Sequence, residues 1–218
     1  MKRLNQKFLL ACGLLLTLAA FPVFAQQEGK IEINKMPFND FALMLKQKVD
    51  AGEVDLTKSF SVELEGVLSK DGNFDKKKSK FTKSAGDEAM VEVGKSFIES
   101  FGDSGFFRYL KDFGIEKFNL VLAQDDSQVY AEIVSELKTP ERARTITSGL
   151  NSLVQLVLKS EETGQRKLND DERIFIKGIN VKNENAKLTL KFAYEKSVVQ
   201  ELLNSKLKAI ERNQPSSE

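Results

Sequence analysis

A few short stretches carry the residue types that chemistry uses. Gly102-Asp103-Ser104-Gly105 holds the pattern that surrounds the nucleophilic serine of chymotrypsin-like proteases. Such a serine needs a base to take its proton, and the usual base is histidine. The chain contains no histidine. Ser104 is therefore read as the cap of a helix over residues 106–113. Ser135-Glu136-Leu137-Lys138 fits the Ser-x-x-Lys pattern of acyl enzymes. It falls at a strand end before Thr139-Pro140, whereas that nucleophile should begin a buried helix. Asp125-Asp126 and Asp170-Asp171 offer oxygen ligands to Ca²⁺, but neither has the D-x-D-x-D-G spacing. They read as a turn and a first helical turn. The missing histidine also removes His-based metal sites and the H-E-x-x-H class. No catalytic set, metal site or cofactor site is singled out, and the chain reads as non-enzymatic.

Two stretches concentrate charge. Lys76-Lys77-Lys78-Ser79-Lys80 offers a contact for anions or a membrane surface. Lysines also keep an edge strand from pairing with other chains. In a chain with balanced charge and no interleaved aromatics, the protected edge is the reading adopted. Ser84-Ala85-Gly86-Asp87-Glu88 has the look of a phosphate cradle at a helix start. Asp87 and Glu88 already occupy that positive end, so Ser84 is taken as a simple cap.

The first residues address compartment. Lys2, Arg3 and Lys7 precede an apolar run from Phe8 that ends Val23-Phe24-Ala25, the layout of a secretory signal peptide over residues 1–25. An uncleaved anchor competes, because the run is almost long enough to span a bilayer. Cleavage removes Cys12, the only cysteine, so the mature chain has no disulfide or thiol chemistry. Of 33 basic residues three leave with the signal, giving 30 against 32 acids. That balance argues against nucleic acid as the main partner.

The elements follow from periodicity. Residues 26–36 read as a flexible leader, residues 37–211 as one domain and residues 212–218 as a disordered tail. Pro37 opens a helix with Phe38, Phe41, Leu45 and Val49 on one stripe. Phe60, Val62, Leu64, Gly66 and Leu68 then alternate with polar residues, as a half-buried strand does. Asp71-Gly72 turns the chain, residues 73–83 return as a second strand, and Ser84 caps a helix carrying Met90, Val93, Phe97 and Phe101. The same strand–strand–helix order recurs with helices after Thr139 and after Ser197, the last with Gln200 as its capping partner. The expected fold is α+β: a two-layer domain with an antiparallel sheet of about six strands and helices on one face. The opposite face would carry Glu63, Glu65, Asn119, Glu132, Glu136, Lys187 and Lys191, interrupted by Val67, Val121, Tyr130 and Val134.

Residues 60–101 resemble the C-terminal domain of TonB-type energy transducers. The likeness rests on a strand, the Asp71-Gly72 turn, a second strand, and Ser84, Gly86-Asp87 and Ala89 leading into an Ala-containing helix. The proline-rich spacer, the Tyr-Pro before the first strand and the N-terminal histidine of that family are missing. The resemblance implies a periplasmic module that recognises another protein by a sheet edge or surface, without the energy-transducing role.

Two functional expectations follow. In the first, an exported, non-enzymatic module docks another periplasmic or envelope protein by strand addition or through Val67, Val121, Tyr130 and Val134. In the second, a carrier encloses a small apolar ligand or lipid within a layer of Phe97, Phe101, Phe106, Phe107, Phe113 and Phe118.

Overall fold

The computed structural model describes residues 33–165, 167–168 and 170–213. The expected signal peptide, residues 26–32 of the leader and residues 214–218 of the tail lie outside the described residues. In chain order the elements are α1 (Met36–Asp50), β1 (Phe60–Val67), β2 (Lys80–Gly86), α2 (Glu88–Asp103), α3 (Arg108–Asp112), β3 (Lys117–Gln124), β4 (Gln128–Glu136), α4 (Pro140–Glu162), α5 (Asp170–Gly178), β5 (Ile179–Glu184), β6 (Lys187–Glu195) and α6 (Lys196–Asn213). A helix followed by three strand–strand–helix units is thus observed, with α3 and α5 filling the joints.

The six strands form one open sheet in the order β2-β1-β3-β4-β6-β5, and every neighbouring pair is antiparallel. Alternation decides which side chains go inward. Rows of residues cross the inner face. Phe60, Gln124, Val129 and Tyr194 make the first; Val62, Leu122, Ala131, Phe192 and Ile179 the second; Leu64, Leu120, Ile133, Leu190 and Val181 the third. Gly66 and Phe118 stand in the fourth. All helices that touch the sheet do so on this side. α2 lies over β1, where a Cβ on Gly94 would come within 2.6 Å of the Phe60 ring. α4 lies over β5, with Asn151 Nδ2 donating to the Val181 carbonyl at 3.2 Å. The Phe118 ring occupies the space a Cβ on Gly66 would need. Each large apolar side chain buried in this layer contributes about 1.5–3 kcal/mol, which makes it the main source of stability.

The Thr139 start is as expected: its hydroxyl accepts from Arg142 N at 3.2 Å, with Pro140 in the first turn. The other two helix starts differ. Ser84 lies in β2, opposite Val62, and Asp87 caps α2 by accepting from Met90 N at 3.0 Å. Asp87 wins because the strand pairing continues through Gly86, which takes a φ of +96° before the helix begins. Ser197 lies inside α6, which starts at Lys196, and Gln200 donates from Nε2 to the Leu56 carbonyl at 3.2 Å instead of capping. At the far end α6 continues through residues 212–213, which were expected in the tail.

The return strand also starts later than residue 73. After the Gly72 turn, only Phe74 bridges back, to Leu68. Asp75 then folds residues 75–79 into a second turn. Its carboxylate accepts from Lys77 N and Lys78 N, each at 3.2 Å, and its carbonyl accepts from Ser79 N at 2.9 Å. Lys76, Lys77 and Lys78 therefore sit on a loop, and the lysines on the edge strand β2 are Lys80 and Lys83. Lys76 pairs with Asp103 and Lys78 with Asp75, both at 2.8 Å.

Candidate functional site

The serine and acid motifs all end in local structure. Ser104 is 1% exposed; its Oγ donates to the Phe101 carbonyl at 2.7 Å and accepts from Phe106 N at 3.1 Å. That seals the end of α2 and the turn after it, while α3 itself begins at Arg108. Ser135 Oγ donates to the Lys117 carbonyl at 2.7 Å within the sheet. Asp125 closes the β3–β4 turn by accepting from Ser127 N, Gln128 N and Ser127 Oγ, and those bonds hold its carboxyl below the ordinary aspartate value. The side chains of Asp170 and Asp171 lie outside the described residues.

The outer sheet face brings together three of the four residues expected to dock a partner. Val121 pairs with Glu132, and Tyr130 and Val134 flank Glu132 along β4. Val67 stands apart at the end of β1, opposite Lys117. All four are half-buried. Their surroundings are charged: Lys191 Nζ lies 5.1 Å from the Tyr130 ring centre, and Lys83 and Lys80 each pair at 3.2 Å with Glu63 and Glu65. The apolar patch is thus small and broken by ions.

The inner face has a different character. Between it and the helices lie two adjoining cavities of about 70 and 130 Å³. The smaller one sits over rows two and three of the sheet. Its roof is Phe97 and Phe101 of α2, then Phe106, Phe107 and Phe113 around α3, with Leu150 of α4 at the side. These rings are held by one another; Phe101 stands 4.7 Å from Phe106 and 5.3 Å from Phe97, centre to centre. The larger cavity sits over rows one and two, roofed by Phe41 and Leu45 of α1, Met90 and Val93 of α2, and Leu202 and Leu203 of α6. Phe97, Leu122, Ala131 and Phe192 line both. The small Ala131, between Leu122 and Phe192 in its row, leaves room at the junction.

Among the described residues, no charged side chain lines either cavity. Among the described residues, the polar side chains in the lining are Tyr109 in the smaller one and Gln124 and Tyr194 in the larger, while Tyr130 turns its ring to the outer face. Burial raises the phenol pKa of Tyr109, with the Asp112 charge adding to it, and burial alone raises that of Tyr194. Both phenols stay neutral across the physiological range. Among the described residues the site offers an apolar, uncharged space and no acid–base pair. Five of the six phenylalanines expected around a ligand do line the smaller cavity. Phe118 instead packs on Gly66 and against Phe107 at 5.0 Å. Sequence reasoning missed Gln124 and Ala131. A polar residue at the inward phase of an apolar strand was the signal for the first, and a small residue in a row of large ones for the second.

A scan of family models and searches of curated proteins and of solved structures find no match to this chain. The likeness of residues 60–101 to TonB-type domains accordingly rests on the quoted residues. No described helix is long and apolar enough to cross a membrane.

Proposed function

We propose that the protein is an exported, non-enzymatic carrier that holds a small apolar ligand between its sheet and its helices. The observation that carries this is the pair of adjoining cavities among Phe97, Phe101, Phe106, Phe107 and Phe113, with no charged residue among the described residues of their lining. A mostly apolar cavity on the order of 150 Å³ takes up small apolar molecules in preference to water, which finds few hydrogen-bond partners there. Export rests on Lys2, Arg3 and Lys7 ahead of the apolar run and on the Val23-Phe24-Ala25 end. Mass spectrometry of the exported chain should find Gln26 first; a full-length form resistant to carbonate extraction speaks for an anchor.

Ligand binding is tested by native mass spectrometry of the purified protein, then by calorimetric titration after solvent extraction. A stoichiometric apolar compound, or saturable heat with apolar titrants that Ala131→Leu removes, supports the carrier. An empty protein that binds no apolar titrant sinks it.

The outer face favours a second reading, docking of another envelope protein, since Val121, Tyr130 and Val134 cluster on the side opposite the helices. A photoreactive residue at position 134 should then give one discrete cross-linked adduct in living cells. A smear or no adduct removes this reading.

A further inference from the structure

The two cavities lie one behind the other along the strands, over the first three inner rows. Rows one and three are four residues apart, which is about 14 Å along a strand. An all-staggered hydrocarbon covers that length with roughly ten to twelve carbons. Cavity volumes of about 70 and 130 Å³ fall far short of what a fused-ring ligand such as a sterol fills. Two small cavities set in line along the strands suit a slender molecule better than a bulky one.

One end of it is marked by a polar atom. Gln124 is 5% exposed, stands in row one and lines the larger cavity. Its Nε2 donates to the Leu56 carbonyl at 2.9 Å and to the Lys58 carbonyl at 2.7 Å. Two carbonyl acceptors on one nitrogen fix which way round the amide sits. They leave Oε1 as the atom without a hydrogen bond among the described residues. That oxygen keeps some accessible surface and is free to accept, so a ligand that supplies a donor there gains a hydrogen bond. A carboxylate cannot: it brings only acceptors, and among the described residues no lysine or arginine lines the cavity to neutralise it.

We propose that the ligand is a single linear hydrocarbon chain whose polar end, a hydroxyl or an amide N–H, donates to Gln124 Oε1 while its tail runs under the phenylalanines of α2 and α3. This deepens the carrier reading and rests on it. Calorimetric titration of the solvent-extracted protein with hexanol, decanol, hexadecanol, decyl methyl ether, decanoate and cholesterol tests it. Decanol should bind about five-fold more tightly than the ether, the difference one neutral hydrogen bond makes. Affinity should rise from hexanol to decanol and level off by hexadecanol, with decanoate weaker than the ether. In Gln124→Met, checked for folding by circular dichroism, the alcohol and the ether should bind alike. The comparison of ligands on the parent decides the matter if that variant does not fold. Equal binding of alcohol and ether, or tightest binding of decanoate, overturns the donor. Tightest binding of cholesterol overturns the linear shape. In all these cases the carrier reading stands, whereas failure of every compound to bind removes the carrier reading itself.

Discussion

The two faces of this sheet are made by the same strands, yet they solve different problems. Inward residues of β1, β3, β4 and β6 stack as Phe60, Val62, Leu64, Leu120, Leu122, Ile133, Leu190 and Phe192 beneath a roof of helices. Outward residues one position along pair as Lys83 with Glu63, Lys80 with Glu65, and Lys191 over Tyr130. The outer face meets water on its own terms and needs no cover. The inner face is covered but not filled, because the ring-bearing helix α2 and the helices α4 and α6 reach it from different sides. A roof made of several separately anchored pieces leaves gaps that one continuous layer does not, and here the gaps lie over the middle of the sheet.

The contrast predicts the ranking of substitution effects. Phe107 is 1% exposed and its ring meets Phe74, Phe101 and Phe118. Phe107→Ala should cost about 3–5 kcal/mol in urea unfolding, the scale of emptying a well-packed aromatic site. Tyr130→Ala on the outer face should cost under about 1 kcal/mol, since a half-exposed ring and one exposed cation contact are lost. Comparable losses at the two positions would erase the distinction between the faces.

Next in size is a glycine pair. Gly66→Ala should cost about 1–3 kcal/mol, because the Phe118 ring must move out of the fourth row. Gly149→Ala on α4 meets nothing within 4 Å and should stabilise by about 0.5–1 kcal/mol through helix propensity. Thermal melting of both variants sharpens how closely the inner layer is packed away from the cavities.

The helix start gives a smaller effect. Asp87→Ala should cost about 1 kcal/mol by orphaning Met90 N, while Ser84→Ala, exposed on the edge strand, should stay within about 0.5 kcal/mol. Smallest are the outer ion pairs. Lys83→Gln should change stability by less than about 1 kcal/mol, and the difference from the parent should shrink in salt.

Acid should act through the turns that join the strands. Asp75 and Asp125 have folded-state pKa values below the ordinary aspartate value of 3.8, the first chiefly through the bond from Lys78, the second through the backbone N–H groups of Ser127 and Gln128. A depressed folded pKa means stability that is complete above 3.8 and lost as pH falls below it. Melting temperature measured from pH 5 down to pH 2 should therefore fall for the parent and fall less for Asp125→Asn, which is already weakened at neutral pH.

Much of the fold is legible in the sequence. Phe60-Val62-Leu64 and Phe118-Leu120-Leu122 alternate cleanly, and Thr139-Pro140 states a helix start outright. The stretch from residue 73 to residue 87 is not legible in the same way. β2 is almost wholly exposed, so no apolar alternation marks where it begins. Ser84 and Asp87 are both good caps, and local sequence cannot choose between them; the pairing with β1 does. The candidate site divides likewise. Its phenylalanines could be named from the sequence, but whether they close on one another or leave a space depends on where α4 and α6 come to lie, and that is set by residues far along the chain. Gln124 was hidden for the same reason, because its partners, the Leu56 and Lys58 carbonyls, lie in a loop that carries no pattern of its own.

The most direct test of the central claim is nuclear magnetic resonance of the isotope-labelled protein during titration with decanol. A chain held between sheet and helices should give saturable shifts at inner-face residues, foremost the methyl groups of Ala131, Leu122, Ile133 and Leu150 and the side-chain amide of Gln124, with Val121, Val134 and Val67 unmoved. Saturable shifts centred on Val121 and Val134, or shifts at no residue at all, would contradict it.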